Sequence, residues 1–455
     1  MTGIALIIAF VVAVALMLLM ISRWKVHPFL AIMVTALLLA LVAGIPLNEV
    51  PKVIGDGFAS TFTSIGIVII LGALIGVILE KTGAALTLAD VVIRLVGERR
   101  PGLALELMGW VVSIPVFCDS GFVILNPIRK ALVKRTGASS VMLTTCLACG
   151  LYISHVFIPP TPGPIAAAQT LGIGNNLLLV MGLGAAVSVF PLVAGYAYAR
   201  YVSRKITDDD TTEQAGDEAA VAETYEALKA SKGALPGAVA ALSPLVVPIL
   251  LMSLGSVAKM LHWEGFGGDL CLFLGNPMIA LAVGALLAIG LLKTTGKARE
   301  LFGITDDTLR AVGPILFVTA AGSVLGRVIA ASGLMEYITS TAPVLKMLGV
   351  LFPFVVAAIF KTAQGSSTVA ITTTAGLMVP LLPALGLVTP VQVTLAVLAI
   401  GAGAMTVSHA NDSYFWVVTR FGGLTVDNGY RAHTLMTLVI GLASILGIFL
   451  ISLFA

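Results

Sequence analysis

Ser154-His155-Val156-Phe157-Ile158-Pro159-Pro160-Thr161-Pro162-Gly163-Pro164 stands inside a long apolar run that extends from residue 139 to residue 172. A bilayer core of about 30 Å is crossed by about 20 apolar residues of helix, so the run is long enough to span. Four prolines between Pro159 and Pro164 nevertheless forbid one unbroken helix. Each lacks an N–H donor and clashes with the turn before it. Backbone groups freed at membrane depth are tolerated only where they are buried in protein or line a cavity. The stretch therefore reads as a membrane span broken in its middle, at a place where a polar ligand can be met.

Similar apolar runs cover residues 3–21, 27–46, 59–79, 176–199, 236–258, 276–292, 311–331, 391–419 and 433–454. Two more, near 103–128 and 349–386, are interrupted by VFCDSGF at 116–122 and KTAQGSST at 361–368. Each of these is either a pair of short spans or a hairpin that enters the membrane and returns. Composition agrees with a lipid solvent. Of the 455 residues 58% are apolar and 11% charged, against about 25% charged in a soluble domain. A net charge of +3 with no basic, aromatic-interleaved patch excludes nucleic acid as a partner. Cys118, Cys146, Cys149 and Cys271 all lie in apolar surroundings, which argues against a disulfide framework. Cys146 and Cys149 read as two small residues on one helix face rather than a redox or zinc pair. The start of the chain has neither a basic n-region nor an A-x-A site, so residues 3–21 are expected to be a retained span.

Charge sets the orientation. With the N-terminus outside, 21 of the 26 Lys and Arg residues fall on the cytoplasmic side, leaving Lys52, Lys259, Arg327, Lys346 and Lys361 elsewhere. The positive-inside rule then predicts that both termini are periplasmic. Arg327 and Glu336 are expected at the periplasmic interface, and Glu80 and Lys81 at the cytoplasmic one. Residues 206–232 carry eight acidic residues and two lysines and are expected to form a solvated cytoplasmic connector.

The connector separates two halves with the same landmarks in the same order. His27-Pro28 matches Asn276-Pro277, and Gly72, Gly76 and Gly83 match Gly322, Gly326 and Gly333. Asp119-Ser120 matches Gly365-Ser366, and Ser154-His155 matches Ser408-His409. Gly-x-x-x-Gly alone is a common packing motif of membrane helices, but landmarks kept in register indicate an internal duplication. An odd number of crossings before the second copy turns it over. The expected fold is thus an all-α polytopic membrane protein of two inverted-topology repeats, 1–205 and 233–455, each with about five transmembrane helices and one re-entrant hairpin. Inverted repeats of this kind build many secondary transporters.

The polar interruptions supply the candidate substrate-binding residues. They are Asp119 and Ser120 at the first tip, then Ser154, His155 and Thr161 at the first break. The second tip gives Gln364, Gly365, Ser366, Ser367 and Thr368, and the second break gives Ser408, His409, Asn411 and Asp412. Helix N-termini aimed at such a place suit an anionic carboxylate, and the hydroxyls and amides suit the hydroxyl groups of a ligand. Asp119, Asp412, His155 and His409 are the candidates for carrying a coupling proton, because ionisable groups inside a membrane are costly and usually functional. Plainer readings stand beside these. Asp119 can cap the helix that follows it, the histidines can be satisfied structural donors, and Lys361 can snorkel to the interface rather than attract an anion.

The segments SIPVFCDSGFVILNP (113–127), SHVFIPPTPGP (154–164) and SHANDSYFW (408–416) resemble the bacterial gluconate permease family, the gluconate:proton symporters. The likeness runs over essentially the whole chain. It implies inverted repeats, re-entrant hairpins, usually a homodimeric scaffold, and proton-coupled uptake of sugar acids across the inner membrane. Members similar in this way carry gluconate, other aldonic or ketogluconic acids, or D-serine, so the resemblance leaves the substrate open. No cofactor or metal is expected beyond the coupling proton, with sodium, held by Ser, Thr, Asn and carbonyl oxygens at the tips, as the alternative. An intramembrane enzyme is disfavoured by the absence of H-E-x-x-H and G-x-S-x-G, and an ATP-driven pump by the absence of a phosphate loop. A passive channel is separated from a symporter by accumulation against a gradient.

Overall fold

The computed structural model describes residues 4–88, 100–206, 235–332 and 347–454. The connector from residue 207 onward, Gly333 and Glu336 lie outside the described residues. Every regular element among those described is helical. Before the connector come α1 (Ile4–Ser22), α2 (Pro28–Ala43), α3 (Val50–Thr61), α4 (Ile67–Lys81), α5 (Pro101–Val112), α6 (Cys118–Thr136), α7 (Ser140–Phe157), α8 (Pro162–Thr170) and α9 (Leu177–Val202). After it come α10 (Ala238–Met260), α11 (Phe266–Leu274), α12 (Pro277–Thr294), α13 (Leu301–Ala331), α14 (Leu351–Gln364) and α15 (Ser367–Met378). The chain ends with α16 (Pro390–Met405), α17 (Ser413–Phe421), the short α18 (Val426–Gly429) and α19 (Leu435–Ser452).

Six helical stretches are long and apolar enough to cross a membrane: 140–170, 174–202, 238–255, 277–294, 298–331 and 426–452. The chain is therefore a polytopic helical membrane protein. α7 and α8 are buried almost throughout, whereas α1, α2, α9, α10 and α19 turn residues such as Val11, Leu38, Val193, Leu250 and Leu446 outward. That outward apolar surface is what a lipid-facing shell requires.

Local chemistry explains where helices start. His27 and Asn276, matched in the sequence, are both N-caps, each accepting a bond from the N–H two residues on with proline at the next position. Thr389 and Gln392 form a capping box at the start of α16. Two helices begin earlier than hydropathy suggests. The span expected at 59–79 belongs to a helical path that starts at Val50 and passes through a π-turn at Phe62–Gly66. The one expected at 311–331 starts at Leu301, and its polar first turns carry an exposed Asp306–Arg310 pair at 2.8 Å. Apolarity marks only the part of a helix that meets lipid or core, and ion pairs four residues apart carry it further. α11, between the runs at 236–258 and 276–292, is absent from the sequence reading for a different reason: at nine residues it is apolar but too short to read as a span.

The polar interruptions break the helices as their residues require. α5 runs alongside α7 in the same direction, with Gly102 against Met142 and Cys146, and Gly109 against Leu147 and Leu151. α6 runs back the other way, since Gly121 meets Leu151 and Arg129 donates to Ser140 Oγ at 2.7 Å. The turn at 113–117 between α5 and α6 therefore reaches the level of the last turns of α7, just before the proline break. At 12 and 14 residues, α5 and α14 extend only about 18–21 Å at 1.5 Å per residue. α7 and α8 part at Ile158–Thr161, and α16 and α17 part at Thr406–Asp412.

Candidate functional site

The end of α14 and the break before α17 meet in the interior. Lys361, in the last turn of α14, is fully buried, and its Nζ lies 2.5 Å from Asp412 Oδ2. The same ammonium donates to the Gly365 carbonyl at 2.5 Å. Asp412 is the N-cap of α17: its Oδ1 accepts from the Tyr414 N–H at 3.1 Å, and its Oδ2 accepts from Ser408 Oγ. Behind this pair, His433 Nε2 lies 3.0 Å from Ser408 Oγ, and the Ser408 N–H donates to Thr437 Oγ1 at 2.9 Å. Tyr152 presents its ring to Lys361, 5.8 Å from Nζ to the centroid, and packs against Tyr414 and His433. A second strap joins the same two elements, because Asn411 Nδ2 donates to the Thr362 carbonyl at 2.8 Å and His409 Nε2 lies 3.3 Å from it.

The first tip lies against this cluster. α6 packs on α17, and the Ser413 side chain faces the Asp119 carboxyl. Asp119 Oδ2 is 3.7 Å from Cys118 Sγ, while Oδ1 is buried without a hydrogen-bond partner. The cap reading of Asp119 is corrected by the backbone: Phe117 is the N-cap, and Asp119 sits inside the first turn. The side chain that does cap at the second tip is Ser366, which accepts from the Val369 N–H. Lys361 does not snorkel, since it is turned inward onto Asp412.

The remaining sequence candidates divide by environment. Ser154 and His155 are buried at the end of α7, Ser154 Oγ and His155 Nδ1 have no partner, and the His155 ring lies 5.9 Å from that of Phe117. Thr161 is buried with its hydroxyl on the Ile158 carbonyl at 2.7 Å. Ser367 and Thr368 are buried in the first turn of α15, whereas Ser366, Asn411 and Ser413 are exposed and Ser120 and His409 half-buried. Gln364 closes α14, and its side chain lies outside the described residues. Matched positions are thus not equivalent: Ser408 is engaged by the ion pair and Ser154 is not. Sequence reasoning missed His433, Tyr152 and Tyr414. Among the described residues, no three His, Cys, Asp or Glu side chains are grouped to hold a metal ion. An apolar pocket between Pro159, Pro160, Pro244 and Pro248 is lined by Ile, Leu, Met and Pro alone, so it offers a carboxylate nothing.

A membrane bundle whose helices break in pairs around an interior ion pair has the build of a small-molecule transporter. The chain matches GntP family permeases over residues 5–454 and belongs to that family. It is 33% identical over 453 residues to the inner membrane permease YgbN of Escherichia coli (strain K12), covering 98% of each chain. It is 30% identical over 440 residues to a gluconate permease of Pseudomonas aeruginosa, covering 95% of this chain and 94% of that one. Among solved structures it is similar in fold to Neisseria gonorrhoeae MtrF, described with a class of antimetabolite efflux pumps. The TM-score is 0.64 at 14% identity, over 95% of this chain and 96% of that one. The protein is therefore a multi-pass inner-membrane permease for a small molecule, and not an enzyme.

Proposed function

We propose that this permease is a proton-coupled symporter that takes up gluconate, or a related small hydroxylated carboxylate, by alternating access. In this reading 1–205 and 233–455 are inverted repeats, and α5–α6 and α14–α15 are re-entrant hairpins whose tips approach the α7–α8 and α16–α17 breaks. The short reach of α5 and α14 and the matching order of breaks support it. A homodimeric scaffold belongs to the same proposal, and Leu250, Leu254, Phe266 and Phe273 of α10 and α11 are turned outward.

The observation that carries the proposal is the buried Lys361–Asp412 pair. A substrate carboxylate and the Asp412 carboxylate compete for one ammonium. A proton on Asp412 removes the competitor, so proton and anion bind together. The empty pair and the fully loaded site are then both neutral, while a site holding only one of the two ligands carries a net charge. Such a charge costs about 2.5–3.5 kcal/mol at the membrane centre on the mildest scale, which disfavours movement of half-loaded forms. Asp119, His155 and His409 are the further candidates for holding a proton. Half-buried Ser120 and exposed Ser366 and Asn411 are proposed to read substrate hydroxyls. Ser154, Thr161, Gln364, Gly365, Ser367, Thr368 and Ser408 complete the proposed surface, and the gluconate permease relative supports the substrate class.

The test is uptake of labelled gluconate by proteoliposomes under an imposed inward pH gradient, with other sugar acids and D-serine as competitors. Accumulation abolished by an uncoupler is the expected result. Accumulation that follows only a sodium gradient replaces the proton by sodium. Absence of both uptake and competition removes the substrate class.

A further inference from the structure

One buried carboxyl group has no part in the scheme above. Glu106 of α5 is fully buried. Among the described residues its carboxyl oxygens meet no N–H or O–H donor, and the side chain that reaches them is the weakly bonding thiol of Cys149. Glu106 sits where α5 crosses α7 and α9. Gly150 brings the α7 backbone close to that of Glu106, and Gly195 of α9 leaves the room that Cys149 Sγ fills, with Glu106 Oε1 beside it, 3.2 Å from where a Cβ would stand. The titratable groups that face the carboxyl are Cys146 and Cys149 of α7, while α9 presents Gly195 there and turns Tyr196 toward Gly102. Among the described residues no Lys, Arg or His pairs with it.

An ionised carboxylate here is an uncompensated charge in the membrane interior, so the group is held as the neutral acid. Even the acid gains little, because a thiol is a weak partner for its O–H and C=O, and an apolar side chain of similar volume stabilises such a place better. Packing alone therefore gives no reason for a carboxyl group at this position. Its surroundings give one. Trp110 Nε1, one turn further along α5, is also buried without a partner. On the parallel α7, Ser154 Oγ and His155 Nδ1 are unpartnered too, the Tyr152 hydroxyl faces Ser367, and Asp119 Oδ1 lies at the tip beyond. Unsatisfied polar atoms thus continue from Glu106 along the α5–α7 contact to the candidate site.

We propose that Glu106 is a proton-carrying site, which holds its proton as the neutral acid in the conformation described here and exchanges it with the substrate site along the α5–α7 face. The inference rests on the proton-coupled reading above.

Glu106→Gln keeps the shape and polarity of the group but cannot ionise. In proteoliposomes it is expected to keep counterflow, the exchange of labelled for unlabelled gluconate without net proton movement. It is expected to lose accumulation driven by a pH gradient. Glu106→Asp is expected to retain accumulation with an altered pH profile. In infrared difference spectra the wild type should show the carbonyl band of a neutral carboxylic acid that is missing from Glu106→Gln. Wild-type accumulation in Glu106→Gln, absence of that band, or loss of counterflow in both variants overturns the assignment. A wild-type protein that does not accumulate gluconate on a pH gradient overturns the symport reading itself, and this proposal with it.

Discussion

Lys361 is one residue from Thr362, whose carbonyl holds Asn411, and four from Gly365, whose carbonyl it holds itself. Its ammonium has Asp412 as its counter-charge. Removing one partner of a buried ion pair leaves the other uncompensated and typically costs about 3–5 kcal/mol, whereas replacing both by neutral groups is often harmless. Lys361→Met and Asp412→Asn are each expected to lower the thermal stability of the detergent-solubilised protein. The double variant should recover most of the loss, while all three lose gradient-driven uptake. A Lys361→Met protein with wild-type melting and uptake removes the pair from both roles. The polar half of this site was legible in the chain, because Ser408, His409, Asn411 and Asp412 interrupt an apolar run and cannot sit in lipid. Its other half was not. His433 is 25 residues from Ser408, and Tyr152 lies on an apolar stretch of α7, so only the fold brings these rings to the pair. Tyr414 stands two residues from Asp412 but looks like an ordinary aromatic of the YFW run. Glu106 was missed for a related reason: one carboxyl in a short helix looks like an interfacial residue until its burial is known.

Two glycines show how elements rather than single groups build the site. A Cβ on Gly76 of α4 would strike the carbonyl oxygen of Pro115 in the α5–α6 turn, and one on Gly365 would strike the carbonyl oxygen of Asn411. Gly365 also has φ +88°, a left-handed conformation that costs other residues about 1–2 kcal/mol. Gly76→Ala and Gly365→Ala are therefore expected to push the tips away from their seats and cut the initial rate of gluconate uptake while the protein still inserts. Gly137→Ala is the control. Its φ is +64° but nothing lies within 4 Å, so it should cost stability of the same order and leave uptake unchanged. If Gly137→Ala slows uptake as much as Gly365→Ala, the effect is one of strain and not of seating. The matched glycines were legible as a pattern, yet the pattern did not tell what each one approaches. Gly72 meets Pro160 and Gly76 meets Pro115, while Gly322 and Gly326 meet the backbone of α15. Helix ends were the least legible feature, since the polar first turns of α3 and α13 are held by contacts and ion pairs that hydropathy does not register.

On the scale of the molecule, the lopsided placement of Lys and Arg in the sequence agrees with contacts that the fold makes between distant chain segments. Lys297 Nζ donates to the Lys81 carbonyl at 2.7 Å, which joins the start of α13 to the end of α4. Tyr198 OH donates to the Arg431 carbonyl at 2.5 Å, and the end of α17 near Arg420 meets α7 through Thr144 and Gly422. The basic ends thus meet in two groups, and in the proposed orientation, which rests on the positive-inside rule, both groups lie on the cytoplasmic face. That proposal puts the basic end of α12 at Lys293 inside and α11, next to the start of α12, on the periplasmic side. α11 carries Cys271, which is half-buried, whereas Cys118, Cys146 and Cys149 are buried. Cys271 is therefore a native reporter of the orientation on one side, and an engineered cysteine can report the other. A membrane-impermeant maleimide added to intact spheroplasts is expected to label the wild type, and Cys271→Ser is expected to abolish the labelling. A cysteine placed in the acidic connector, Ser231→Cys in the Cys271→Ser background, should react only after the membrane is permeabilised. Labelling of position 231 from outside with Cys271 protected would invert the whole arrangement, place both termini in the cytoplasm, and reverse the side from which each tip enters.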